Sequence, residues 1–184
     1  MKKYNYLLLV CFLTGCSTYP ASLYSHSVSN IHAMKAKAEA KPISVKLNEF
    51  TVSGNIQQEI TCRGAGPVVP SPGKTYEKYI RDAMYDELVL AGIYKDNAAI
   101  TIDGRLEAID FSSGVTDAEW SINLIIKSSN GHTASLFERF QFGSSFEGNS
   151  ACRNTANAFA PAVQSLLSKF VNHPDFYKLV SNDK

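Results

Sequence analysis

Three of the four cysteines in this chain stand where a thiol can be put to use. Cys16 follows Leu13-Thr14-Gly15, behind a basic start (Lys2, Lys3) and a short apolar run from Tyr6 to Leu13. A charged end, an apolar core and small residues at a cut site are the parts of a secretory signal peptide. Residues 1–15 therefore read as a cleaved leader that takes Cys11 with it. The apolar run is far shorter than the ~20 residues a bilayer span needs. Export leaves Cys62 and Cys152 in an oxidising compartment, where pairing is the default and only one intrachain pairing is open to them. Two free buried thiols are the alternative. A disulfide there would close a loop of about 90 residues and stabilise the fold by about 4–5 kcal/mol on the chain-entropy model.

Other constellations carry less. Cys62 and Cys152 have no second cysteine or histidine at zinc spacing, and His26, His32, His132 and His173 are scattered, so no metal site is expected. Gly73-Lys74-Thr75 opens a helix as a phosphate loop does. The glycine that motif needs five residues earlier is Val68, however, and Pro70 and Pro72 lack amide donors. Gly143-Ser144-Ser145 is not a nucleophile elbow. Asp103, Glu107 and Asp110 would have to converge with Asp117 and Glu119 to run carboxylate-pair hydrolysis, and exposed acids on strand faces are common. Cys62-Arg63 and Cys152-Arg153 would set two arginines beside one disulfide, a contact for an anionic group. Phe137 points away from Leu136 and Phe140 by period two, which makes it a candidate for an apolar binding surface. The ordinary reading of the many aromatics is a core with a few exposed members.

Leu13-Thr14-Gly15-Cys16 resembles the bacterial lipobox. That resemblance implies a diacylglycerol thioether and an amide-linked acyl chain on Cys16. One acyl chain binds a membrane reversibly, whereas three make a lasting anchor. Ser17 at the second mature position, in place of Asp, resembles the pattern sent to the outer membrane, with the domain on its periplasmic face. The chain carries 18 basic and 17 acidic side chains. Loss of the leader removes two lysines and no acid, leaving a slightly acidic remainder. Such a chain has no broad basic face for nucleic acid and no polybasic patch for anionic lipid.

The elements follow from periodicity. Residues 16–41 read as lipid anchor and tether, with Asn30–Lys41 able to form a short helix that lacks a wide apolar stripe. Residues 42–184 read as one domain. Ile43, Val45 and Leu47 alternate as a strand, and the phase slips after Asn48 unless a bulge intervenes. Ser53–Gly73 reads as a loop. Tyr76, Ile80, Ala83, Met84 and Leu88 fall on one face of a helix capped by Thr75 and stopped by Gly92. Three strands follow, around residues 100–111, 120–126 and 136–142. Asn130-Gly131 is a hairpin signal for a type I′ turn, which needs positive φ at both central residues. The last large helix spans about 150–171, with Pro161 either kinking it or marking its start.

The order β-α-β-β-β-α predicts an α+β two-layer sandwich: one antiparallel sheet with two helices on one face. The order resembles small periplasmic lipoproteins that assist envelope assembly, such as the lipopolysaccharide-assembly lipoprotein and auxiliary lipoproteins of lipid transporters. The run from Tyr76 through Ala91-Gly92 to Leu106 looks like a family of uncharacterised proteobacterial lipoproteins, on packing positions only. The expectation is a non-enzymatic, membrane-anchored binding or assembly module with an envelope protein partner and no cofactor. A lipid- or small-ligand-carrying module is the alternative, and a hydrolase using the acidic cluster the third reading.

Overall fold

The computed structural model describes residues 17–71 and 73–181, so the leader and Cys16 lie outside the described residues. Its elements are β1 (Tyr19–Pro20), α1 (Val28–Ala40), β2 (Val45–Leu47), β3 (Thr51–Val52), β4 (Ile60–Cys62), β5 (Gly66–Val69), α2 (Tyr76–Leu90), β6 (Ile100–Ser112), β7 (Glu119–Ser128), β8 (Thr133–Gln141), α3 (Gly148–Val171) and α4 (Phe176–Val180). The fold is mixed α+β, with two sheets and four helices among the described residues.

The larger sheet runs β2-β6-β7-β8, with β3 also paired to β6. Period-two alternation buries one of its faces: Ile102 and Leu106 on β6, Ile122, Leu124 and Ile126 on β7, Leu136 on β8. Helices α2, α3 and α4 pack on β6, β7 and β8, while α1 packs on α2 and α3. A register shift between Leu106 and Ala108 absorbs Glu107 as a bulge. It lets Ile109 and Phe111 pair with Ile122 and Trp120, whose side chains are buried. Ala108, grouped by alternation with Ile100 and Leu106, is turned out to solvent instead.

The sheet is not the expected antiparallel one. β6–β7 and β7–β8 are antiparallel, but β2 and β3 both run parallel to β6. A parallel pair needs a long crossover, which the small sheet and α2 supply here. The phase slip after Asn48 is a bulge. Leu47 pairs with Ile102 and Thr51 with Arg105, so three residues oppose two. Phe50 is thereby buried with its ring over Gly104, where a Cβ would come within 2.5 Å of the ring.

Local signals held for several elements, but neighbours altered their details. Helix α2 lies where its stripe predicts, yet Thr75 makes no side-chain cap. Gln58 takes that role, accepting from the Tyr76 N–H at 2.8 Å while donating to Glu77 at 3.1 Å. Helix α3 runs unbroken through Pro161 from Gly148. The β7–β8 hairpin forms at Asn130-Gly131, but only Gly131 has positive φ (96°) there, so the turn is not type I′. The Asn130 amide instead donates to the carbonyls of Lys178 and Ser181, each at 2.7 Å, tying the hairpin to the end of α4.

The largest departure is N-terminal. Residues 17–40 are no tether: β1 pairs with β5, and α1 buries Ile31 and Met34. Likewise, the expected loop 53–73 contains β4 and β5. With β1, these two form the second sheet, in the order β1-β5-β4. Glycines and prolines in that stretch masked its strands.

Candidate interaction surface at the disulfide end

Cys62 on β4 and Cys152 on α3 are bonded, with Cα atoms 5.8 Å apart and both side chains fully buried. The bond staples the small sheet to the first turns of α3. Around it gather the N-terminal strand, the β4–β5 hairpin, and the loops that follow β6 and β8.

The β4–β5 hairpin turns sharply after Cys62. Arg63 (φ 47°) and Gly64 (φ 67°) are both left-handed, and the Ala65 N–H donates to the Cys62 carbonyl at 2.8 Å. A left-handed arginine is strained. Its guanidinium holds it there: Nε donates to Ser113 Oγ at 3.2 Å, Nη2 to the Ser113 carbonyl, and Nη1 to the carbonyls of Ser145 and Phe146 at 3.0 and 3.3 Å. Arg63 thus knots the hairpin to both neighbouring loops. The anionic contact expected of it is met by backbone carbonyls.

The other cysteine-adjacent cation is differently placed. Arg153 is exposed on α3 and lines an open groove of about 470 Å³ with Ser17, Tyr19, Pro20 and Asn157. Glu147 caps α3 nearby, accepting from the N–H groups of Asn149 and Ser150 at 2.8 and 2.6 Å. A hydrogen bond from the Ser150 side chain, those two amides and the charge of Arg153 hold the Glu147 carboxyl down at about 2.

The entering chain is built into this end. Tyr19 pairs with Val68, and its hydroxyl donates to Asn149 Oδ1 at 2.6 Å. Ser17 crosses Gly66 so closely that a Cβ there would sit 1.7 Å from the Ser17 carbonyl. Gly66 is required by that crossing and by its φ of 148°. Above the knot, Phe146 is 92% exposed and Val115 56% exposed.

The remaining expected groups do not join this end as a reactive site. Phe137 is 51% exposed on the outer face of the large sheet, its ring under the Arg139 guanidinium at 5.9 Å. Its carbonyl accepts from Lys169 at 2.7 Å, and Lys169 also pairs with the buried Glu138 at 3.3 Å, shielding the β8 edge. Most of the other aromatics are core: Trp120, Tyr76 and Phe159 stack at 4.9–6.0 Å, and the Trp120 indole donates to the Thr155 carbonyl at 2.8 Å. The acids are spread along the sheet with separate partners. Asp103 accepts from Asn48, Glu107 pairs with Arg105 at 2.6 Å, Asp110 accepts from the next backbone N–H, and Glu119 pairs with Arg139 at 3.6 Å. The Asp117 carboxylate lies against Gly114. Among the described residues no three His, Cys, Asp or Glu side chains gather as metal ligands, and no helix is long and apolar enough to cross a membrane.

Sequence reasoning missed Val115, Gly66 and the role of Ser17. The available signal was the pairing of glycine-rich turns with a serine-rich entry, which says little without the fold. No family model and no curated protein matches the chain. Among solved structures, the crystal structure of protein XCC0632 from Xanthomonas campestris, of the family DUF330, is similar. The TM-score is 0.53 at 9% sequence identity, covering 84% of this chain and 95% of that one. The likeness is one of fold: a mixed α+β architecture shared at low identity with a bacterial protein.

Proposed function

We propose that this protein is a non-enzymatic lipoprotein of the bacterial cell envelope, anchored through acyl chains on Cys16 to the periplasmic face of the outer membrane. In this reading its domain is a two-layer sandwich that binds or assembles with an envelope protein. The observation that carries the proposal is the lipobox-like Leu13-Thr14-Gly15-Cys16, followed after only two residues by a strand hydrogen-bonded into the domain. Such a connection holds the domain against its anchor instead of on a long leash, as suits a module that works at the membrane. The disulfide fits an exported protein.

Metabolic labelling of cells with an alkyne-bearing palmitate tests the anchor. Label on the wild type that disappears in Cys16→Ala, with the variant released from the membrane fraction, supports it. Label that persists in Cys16→Ala, or a wild type that takes none, argues against it. Crosslinking in intact cells then tests the partner. Recovery of one envelope protein, lost when Phe137 is changed to Ser, supports a binding module; recovery of none argues against it.

A further inference from the structure

We infer that the disulfide end is a membrane-contacting face: Phe146 and Val115 enter the bilayer interface beside the anchor and seat the domain directly on lipid. This rests on the lipoprotein reading proposed above. It goes further by naming the surface and its occupant.

Three observations meet here. First, Ser17, which is covalently bonded to Cys16, is held at this end by its crossing of Gly66. One trans peptide spans about 3.8 Å between Cα atoms. Acyl chains on Cys16 therefore bring the bilayer to this end of the molecule and to no other. Second, the most exposed large apolar side chain among the described residues, Phe146, stands in a loop knotted by Arg63 to the hairpin beside that entry point. Val115 projects from the neighbouring loop, which Arg63 and the Ser144 hydroxyl fasten through the Ser113 carbonyl. An exposed phenylalanine on a braced loop is poorly placed in water and well placed among lipid headgroups and upper acyl chains. Third, the charges at this end are mixed. Arg63 and Arg153 are set against Glu147 and Asp117. A balanced rim suits zwitterionic headgroups and gives contact through the apolar side chains, with little dependence on salt.

A bilayer is the occupant favoured over a protein because it is the one surface the anchor must place here. The large sheet's outer face, with Phe137 and Arg139, then stays available away from the membrane.

The test uses the full lipidated chain reconstituted in phosphatidylethanolamine/phosphatidylglycerol vesicles, with Phe146→Trp as the probe and Phe137→Trp as the control. Native Trp120 is buried and supplies a constant background in both. Phospholipids brominated on the acyl chain quench only indoles that enter the bilayer. The expected result is that Phe146→Trp loses most of its added emission and shifts to the blue, unchanged by high salt, while Phe137→Trp does neither. If the vesicles float with the protein but Phe146→Trp is unquenched, the membrane face is overturned and the anchor stands. If the wild-type chain does not float with vesicles, the anchor reading fails and this inference with it. Quenching of Phe137→Trp alone places the wrong face on the membrane and also overturns it.

Discussion

The Tyr24 hydroxyl donates to Glu87 Oε1 at 2.5 Å, joining the N-terminal segment to the last turn of α2 through a carboxylate that is fully buried. The same oxygen accepts from the Ser27 N–H at 2.9 Å, where the chain enters α1. Burial, and then the hydrogen bond to Glu87, push the Tyr24 phenol above its ordinary range, which keeps it a donor at neutral pH.

Replacing Glu87 should therefore release the segment before it unfolds the domain. Glu87→Ala leaves a half-buried phenol and a backbone amide unpaired and should cost about 2–3 kcal/mol in urea unfolding. Amide exchange should speed up across residues 17–40 and stay slow in β6 and β7. Glu87→Gln keeps an acceptor and should lose less. Equal loss of protection throughout would contradict this account.

Gly66→Ala tests the crossing. An added Cβ meets the Ser17 carbonyl head-on, so β1 must leave β5. The expected outcome is rapid exchange at Ala21, whose N–H donates to the Val69 carbonyl at 2.8 Å, with the disulfide intact. Retained protection at Ala21 would show that the crossing yields at little cost.

Cys62 and Cys152 enclose a sequence separation of 90 residues. Changing both to Ala should lower unfolding free energy by about 4–5 kcal/mol, seen as a drop in the urea midpoint. Because both sulfurs are buried, reductant should act on the wild type only in denaturant.

Glu147 gives the acid dependence. Its carboxyl is held at about 2 in the fold, below an ordinary value of 4.5. A depressed folded value means that its contribution is complete above about pH 4.5 and fades as pH falls toward 2. Asp175, lowered by its hydrogen bond from Lys178, works in the same direction. Stability measured from pH 5 to pH 2 should decline, and Glu147→Gln should flatten part of that slope. An unchanged slope would mean the cap does not couple to folding.

What the sequence determined by itself was local or binary. The stripe of Tyr76, Ile80, Ala83 and Leu88 specified α2, because residues three and four apart share a helix face whatever surrounds them. Alternation from Trp120 to Ile126 specified β7, and with Cys11 and Cys16 assigned to the leader and anchor, Cys62 and Cys152 had only each other as an intrachain partner. The phase slip after Asn48 announced the bulge that tucks Phe50 over Gly104. Tertiary structure decided what depends on distant partners. Residues 17–40 carry too little apolar periodicity to declare a packed segment, yet one hydrogen-bonded carboxylate on α2 and one open glycine on β5 dock them. The parallel direction of β2 follows from the crossover that returns the chain to β6, and strand direction leaves no mark on a period of two. Arg63 looked like a free cation beside Cys62 until the fold brought three backbone carbonyls to it. Side-chain type and spacing report how a segment is made; which groups it meets is settled only when remote segments close on one another.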